Sequence, residues 1–340
     1  MKLARIILPA VLVTAVPQVY YKLQKQSYKK LKEQVKEKEK MYEVVNVKQV
    51  SPNEKQFSII GVDKFETKCS LYEVENAKGI FQLVHGSFEH RGRYLEFINY
   101  LNSQGYSVVM ADFRGHGLST NEKYQAGYMD GVEKIVDDLY FVTDYVKSIY
   151  PNKKVYLFGH SLGSMLVRAY LQNHDDAVEK VILSGTVMPN PLTKIGIFTA
   201  KMVNFYLGEH GYSKILQFLP SDNDWVSYNE ENRLKAKNDK LMPKNFQNAG
   251  YLTLYEAAGE ITNFKAYQVK NPDIPILNIV GIDDKLVAGG HLGVAGSTVA
   301  LRKLGYDNIK TIIYPNMKHE ILNEDGKEQV YADIIRFLEE

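Results

Sequence analysis

Residues 154–168, KVYLFGHSLGSMLVR, constrain the fold more than any other stretch of this chain. Val155, Tyr156, Leu157 and Phe158 form a short apolar run that reads as a buried strand. Helix-period apolar residues resume at Leu162 and continue to about Asn173. Between them, Gly159-His160-Ser161-Leu162-Gly163 must turn strand into helix within five residues, the Gly-x-Ser-x-Gly elbow pattern. So sharp a turn puts Ser161 in a strained backbone conformation and leaves no room for side chains two residues to either side. The hydroxyl then stands above the sheet at a helix N-terminus, where backbone N–H groups face incoming negative charge.

Strand and helix patterns alternate around this elbow. Residues 44–50, 57–62 and 69–74 read as opening β-strands, an antiparallel start. Strands then follow at 80–84, 106–110, 155–158, 181–184, 276–280 and 309–313, with helices at 93–103, 131–149 and 327–338. The pattern predicts an α/β fold with a mostly parallel sheet covered by helices on both faces. From 186 to 271 the alternation stops and aromatic, helix-period residues take over, Trp225 among them. We expect a helical insertion there, over the C-terminal strand ends where ligands bind in open α/β sheets. The domain reading is therefore core at 46–185 and 272–340, with the insertion at 186–271 as a lid.

The N-terminus is different in kind. Residues 1–40 carry ten Lys/Arg and three Glu, so the basic charge of a chain that is only +2 overall resides in this arm. The small total gives no support for a nucleic-acid partner. Residues 6–16, IILPAVLVTAV, are too short for a full span, and Pro17 follows the small residues without an Ala-x-Ala cleavage site. The expectation is an uncleaved membrane-anchoring segment over 1–21, broken by Pro9 and Pro17, then a Lys-rich helical arm over 22–45 able to meet anionic headgroups. The larger basic cluster lies C-terminal to the apolar run, which favours a cytoplasmic-facing catalytic domain, with export as the alternative. One cysteine, Cys69, excludes an intramolecular disulfide framework.

A serine alone is a poor nucleophile; it needs a base, and the base an orienting acid. In elbow folds the chain order is Ser, acid, His. Asp283 and Asp284 follow the strand ILNIVG, and His319 follows IKTIIYP. His291 is too close to the aspartates and reads as a helix start. His174, His210 and His90 lack metal-ligand spacing, so no metal and no cofactor is expected.

With these residues the chain resembles the α/β-hydrolases of the monoacylglycerol lipase and lysophospholipase group. The motifs that carry the resemblance run in the family's order from about residue 57 to the C-terminus. They are His85-Gly86-Ser87-Phe88-Glu89-His90 with Arg93-Tyr94, Asp112-Phe113-Arg114-Gly115-His116-Gly117-Leu118-Ser119, the elbow, Gly281-Ile282-Asp283-Asp284, and His319-Glu320-Ile321-Leu322-Asn323-Glu324. The resemblance implies a lid in the insertion. It favours Asp284 as the acid, with Asp283 still open, and places the oxyanion donors at the N–H groups of Leu162 and Ser87. Phe88 and Trp225 are candidate substrate-contact residues, and Asp112, Arg114 and Glu89 candidate scaffolding.

The expected function is hydrolysis of fatty acyl carboxylic esters, monoacylglycerols or lysophospholipids, through Ser161, His319 and Asp284 and an acyl-enzyme. The alternatives are a short-chain esterase, thioesterase or serine peptidase on the same machinery, or a catalytically silent membrane-tethered binding protein.

Overall fold

The computed structural model describes residues 2–37, 40–218, 220 and 222–340, with the side chains of residues 2–12 left aside. The chain opens with helix α1 (Lys2–Lys36) and continues through β1 (Glu43–Ser51), β2 (Glu54–Ile60), β3 (Glu66–Tyr72), β4 (Gly79–Val84), α2 (Leu95–Ser103) and β5 (Tyr106–Ala111). Next come α3 (Val132–Ile149), β6 (Val155–His160), α4 (Leu162–His174) and β7 (Lys180–Ser184). Helices α5 (Thr193–Leu207), α6 (Glu230–Asn238) and α7 (Asn248–Glu260) precede β8 (Ile276–Gly281), α8 (Gly290–Leu304), β9 (Ile309–Tyr314) and α9 (Lys327–Glu339).

The described strands form one sheet in the order β1-β2-β3-β5-β4-β6-β7-β8-β9. The β1-β2, β2-β3 and β3-β5 pairs are antiparallel, and every later pair is parallel. Strands β4, β6 and β8 are buried along their whole length, as helices on both faces require. Alternate residues feed two separate cores. Ile80, Val84, Leu157 and Val181 pack beneath α3 and α4, whereas Phe81, Leu83, Phe158 and Ile182 pack beneath α2 and α9. The edge strand β1 is exposed, carries Lys48 and Gln49, and shifts register twice, features that discourage pairing with a second edge.

The segment between β7 and β8 is helical, and no strand occurs there among the described residues. Helix α7 is largely buried and packs on α4, so part of this insertion belongs to the core.

The N-terminal segment differs from its expectation as two pieces interrupted by prolines. It is one helix that runs through Pro9 and Pro17. Proline has no N–H to give the carbonyl four residues back. For Pro17 that carbonyl belongs to Val13, and the Tyr206 hydroxyl of α5 donates to it at 2.9 Å. The second half of α1 is docked. Tyr28 is buried and donates to Asp137 of α3 at 2.9 Å, Lys32 pairs with Asp137 at 2.7 Å, and Lys25 with Glu256 of α7 at 3.0 Å. Among the described residues no helix is long and apolar enough to cross a membrane. The side chains of residues 6–12, central to the anchoring expectation, and Leu219 lie outside the described residues.

Candidate active site

The turn from β6 into α4 has the strain its glycines foretell. Ser161 sits at φ 52° and ψ −117°, at the N-cap of α4. A Cβ on Gly159 would lie 2.4 Å from the Gly163 carbonyl, and one on Gly163 2.3 Å from that of Val84. The elbow is thus wedged against the end of β4, where the His85-Gly86-Ser87 turn begins. A Cβ on Gly86 would meet the Ser161 Cβ at 3.1 Å. Among the described residues no backbone hydrogen bond is made by the N–H groups of Ser87 and Leu162, and Ser87 lines the same cavity as Ser161.

That turn is fixed from beneath. His85 Nε2 accepts from Phe113 N–H at 3.1 Å and its other ring nitrogen faces the Gly86 carbonyl at 2.9 Å, so its proton sits on Nδ1. Burial holds His85 neutral, well below its ordinary value. Glu89 accepts Gly86 N–H at 2.7 Å and the Tyr94 hydroxyl at 2.9 Å. Asp112 accepts from Arg91 N–H and Leu118 N–H at 2.8 and 2.9 Å. The buried Arg114 guanidinium is shared between Asp63 and Asp138. The three residues read as scaffolding therefore bind loops together.

At the C-terminal ends of β8 and β9, Asp284 and His319 meet. Asp284 Oδ2 lies 2.6 Å from His319 Nδ1, and Oδ1 accepts from Val287 N–H at 3.1 Å and Ala288 N–H at 3.3 Å. Burial alone would raise the Asp284 carboxyl, but His319 and these N–H donors bring it below its usual range. Burial likewise works against the His319 imidazolium, yet Asp284 raises its proton affinity above the ordinary value. Asp283 instead faces outward and accepts the Tyr228 hydroxyl at 3.1 Å. Ser161 and His319 line the same cavity, and no hydrogen bond joins Ser161 Oγ to His319 Nε2 in this structure. Such contacts commonly tighten only when substrate is bound.

The cavity measures about 470 Å³. Apolar side chains, Met165, Leu192, Ile195, Ile215, Phe218 and Leu254 among them, line much of it. Glu89, Arg93 and Glu320 also line it, with Arg93 bound to Glu320 at 2.9 Å. Phe88 lines the cavity and stacks on Phe246 at 4.3 Å between ring centroids. Trp225 lies 5.3 Å from His319, centroid to centroid. His160, next to Ser161, is buried and pushed down to about 3 by burial and then by His319. The sequence marked Glu320, Glu324 and Arg93 only as motif letters; their contacts run to backbone groups and to a distant segment that no local pattern displays.

Residues 75–326 match the family profile described as serine aminopeptidase, S33, also called Hydrolase_4. The chain belongs to this α/β-hydrolase family. The hydrolase is 23% identical to a monoacylglycerol lipase of Mycolicibacterium smegmatis over 295 residues, 85% of this chain and 98% of that protein. It is 23% identical to phospholipase YtpA of Bacillus subtilis over 269 residues, 76% of this chain and 95% of the relative. Among solved structures, a carboxyl esterase from Bacillus coagulans superposes with a TM-score of 0.72 at 26% identity, over 85% of this chain and 99% of its own. A soluble variant of monoglyceride lipase from Saccharomyces cerevisiae gives 0.67 at 17% identity, over 88% of this chain and 96% of its own. Helix α1 and the first three strands precede the matched residues. The hydrolase is thus of the monoacylglycerol lipase and lysophospholipase type, with lipase/esterase activity on acyl esters.

Proposed function

We propose that this hydrolase cleaves fatty acyl esters of the monoacylglycerol or lysophospholipid kind, with Ser161 as nucleophile, His319 as base and Asp284 as the group that orients it. The single observation that carries the reading is the Asp284–His319 hydrogen bond at the cavity that Ser161 also lines. With the proton on Nδ1 held by Asp284, Nε2 of His319 keeps its lone pair for the serine proton. Ser161 Oγ adds to the ester carbonyl carbon as its proton passes to His319. The Ser87 and Leu162 N–H groups face the resulting oxyanion; each such donor is worth about 3 kcal/mol of barrier. The carbon–oxygen bond to the alcohol then breaks, and His319 returns the proton to the leaving alcohol. Water repeats the addition on the acyl-enzyme and releases the fatty acid. The apolar lining suits an acyl chain, while the Arg93–Glu320 pair in the same lining suits a polar alcohol. Ser161→Ala should lower kcat on p-nitrophenyl esters by about 10⁵–10⁶-fold and abolish fluorophosphonate labelling. Retained turnover in a clean preparation overturns the assignment.

Membrane contact belongs to the same proposal, as a peripheral one. Val16, Val19 and Leu23 of α1 are exposed, as are Leu192 just before the neighbouring α5, Ile195 and Leu207 within it, and Ile215 and Phe218 at the cavity. Exposed Lys22, Lys29, Lys30 and Lys36 supply charge for anionic headgroups. The full-length protein should co-sediment with vesicles containing phosphatidylglycerol and dissociate in high salt. Failure to bind them would remove the membrane from this reading and leave the chemistry standing.

A further inference from the structure

Glu324 is a buried carboxylate, 1% exposed, and no cation pairs with it among the described residues. A carboxylate removed from water without a counterion is costly unless several donors surround it. Here the donors come from two separate stretches of chain. Lys318 N–H, immediately before His319, donates to it at 2.9 Å. From the insertion, the Ser227 hydroxyl donates at 2.8 Å, Tyr228 N–H at 2.9 Å and Asn229 N–H at 3.2 Å. Two residues before Ser227 stands Trp225, its indole 5.3 Å from the His319 ring and inclined by 38°. A backbone bond from Glu320 N–H to the Val226 carbonyl, 2.8 Å, lies on the same seam.

We propose that Glu324 is a positioning residue for the reaction: its carboxylate staples the His319 loop to the segment carrying Trp225 and so holds the indole over His319. The inference rests on the reading of His319 as the base. The staple has to be an anion because backbone N–H groups from two loops must converge on one point, and a neutral acceptor draws them less strongly. The indole covers one side of the imidazole, keeping that side from water and the ring in register with Ser161. Glu324 touches neither substrate nor reacting atoms and acts wholly through these two neighbours.

The chain holds a single tryptophan, so intrinsic indole fluorescence reports on position 225 alone. The test compares the full-length protein with Glu324→Gln, Glu324→Ala and Ser227→Ala, the last keeping the carboxylate and removing one donor. Emission maximum, acrylamide quenching and kcat and KM on p-nitrophenyl acetate are measured together. Glu324→Gln and Glu324→Ala should red-shift the emission, raise quenching and lower kcat about ten- to a hundredfold, with KM for the small ester within about threefold. Ser227→Ala should move all three in the same direction by less. Unchanged tryptophan exposure in the Glu324 variants overturns the proposal, as does a fall in kcat without that change. If Glu324→Ala does not fold, Ser227→Ala decides: no spectral change there is equally fatal. If the wild-type protein hydrolyses no ester, the functional reading fails on that ground, while the fluorescence comparison still decides the staple.

Discussion

Asp283 and Asp284 are adjacent in sequence, yet only one touches the imidazole. Asp284→Asn should lower kcat by about 10⁴-fold, because the amide disturbs the tautomer that His319 needs. Asp283→Asn, which loses only a contact to the exposed Tyr228, should stay within a few-fold of wild type. Both follow from steady-state kinetics on one ester. On the proposed mechanism the same pair should set the acid limb of the pH profile. Asp284 favours the protonated imidazole, so kcat/KM should rise with pH through a value above the ordinary 6.5. The base is unavailable below that point. In Asp284→Asn the residual limb should move to lower pH, since the stabilising charge is gone; a limb left in place would show that another group titrates. The sequence singles out Ser161 and His319 because the elbow is a local mechanical constraint and chain order restricts the base. The preference for Asp284 rested on resemblance; in the structure Asp284 is hydrogen-bonded to His319 and Asp283 to Tyr228. Glu324 was not legible in its contacts, because its partners are mainly backbone N–H groups, which every residue but proline carries.

At the scale of elements, the parallel strands were readable because burial on both faces leaves uninterrupted apolar runs, as in β4, β6 and β8. The aromatic residues of the insertion were harder to place. Phe205 and Phe218 look alike in sequence as acyl-chain contacts. Phe218 does line the cavity, whereas Phe205 packs on Tyr20 of α1 at 5.3 Å between centroids. Phe218→Asp should therefore reduce turnover of a C16 ester more than that of an acetate ester, and Phe205→Asp should spare the ratio while lowering Tm. Equal losses on both esters for Phe218→Asp would argue against a part for it in binding. The continuity of helix α1 is hidden from local pattern for a related reason. A proline breaks a helix by local rules, and the hydroxyl that satisfies the freed carbonyl lies 193 residues away. Tyr206→Phe leaves the Val13 carbonyl to water and should destabilise the fold by about 0.5–1 kcal/mol, readable in denaturant melts.

At the scale of the molecule, α1 ties α5, α7 and α3 together, while none of its described residues lines the site cavity. Sequence alone expects a chain beginning near Met41 to be soluble and active. Removing α1 uncovers the seat of Tyr28 and strips Asp137 of two partners. The shortened chain should keep its kcat on acetate esters and lose about 5–10 °C in Tm, measured by calorimetry. A parallel collapse of kcat would mean that the helix reaches the site after all. The bond between Val13 and Tyr206 also has a history in time. At roughly 5–20 residues per second, about 10–40 s separate the synthesis of its two ends. Through that interval the carbonyl of Val13 has no hydroxyl to meet, and whatever waits near the ribosome for exposed segments has the first opportunity to hold the stretch around it. Of the two ends of this bond, the one made first is the one that must wait.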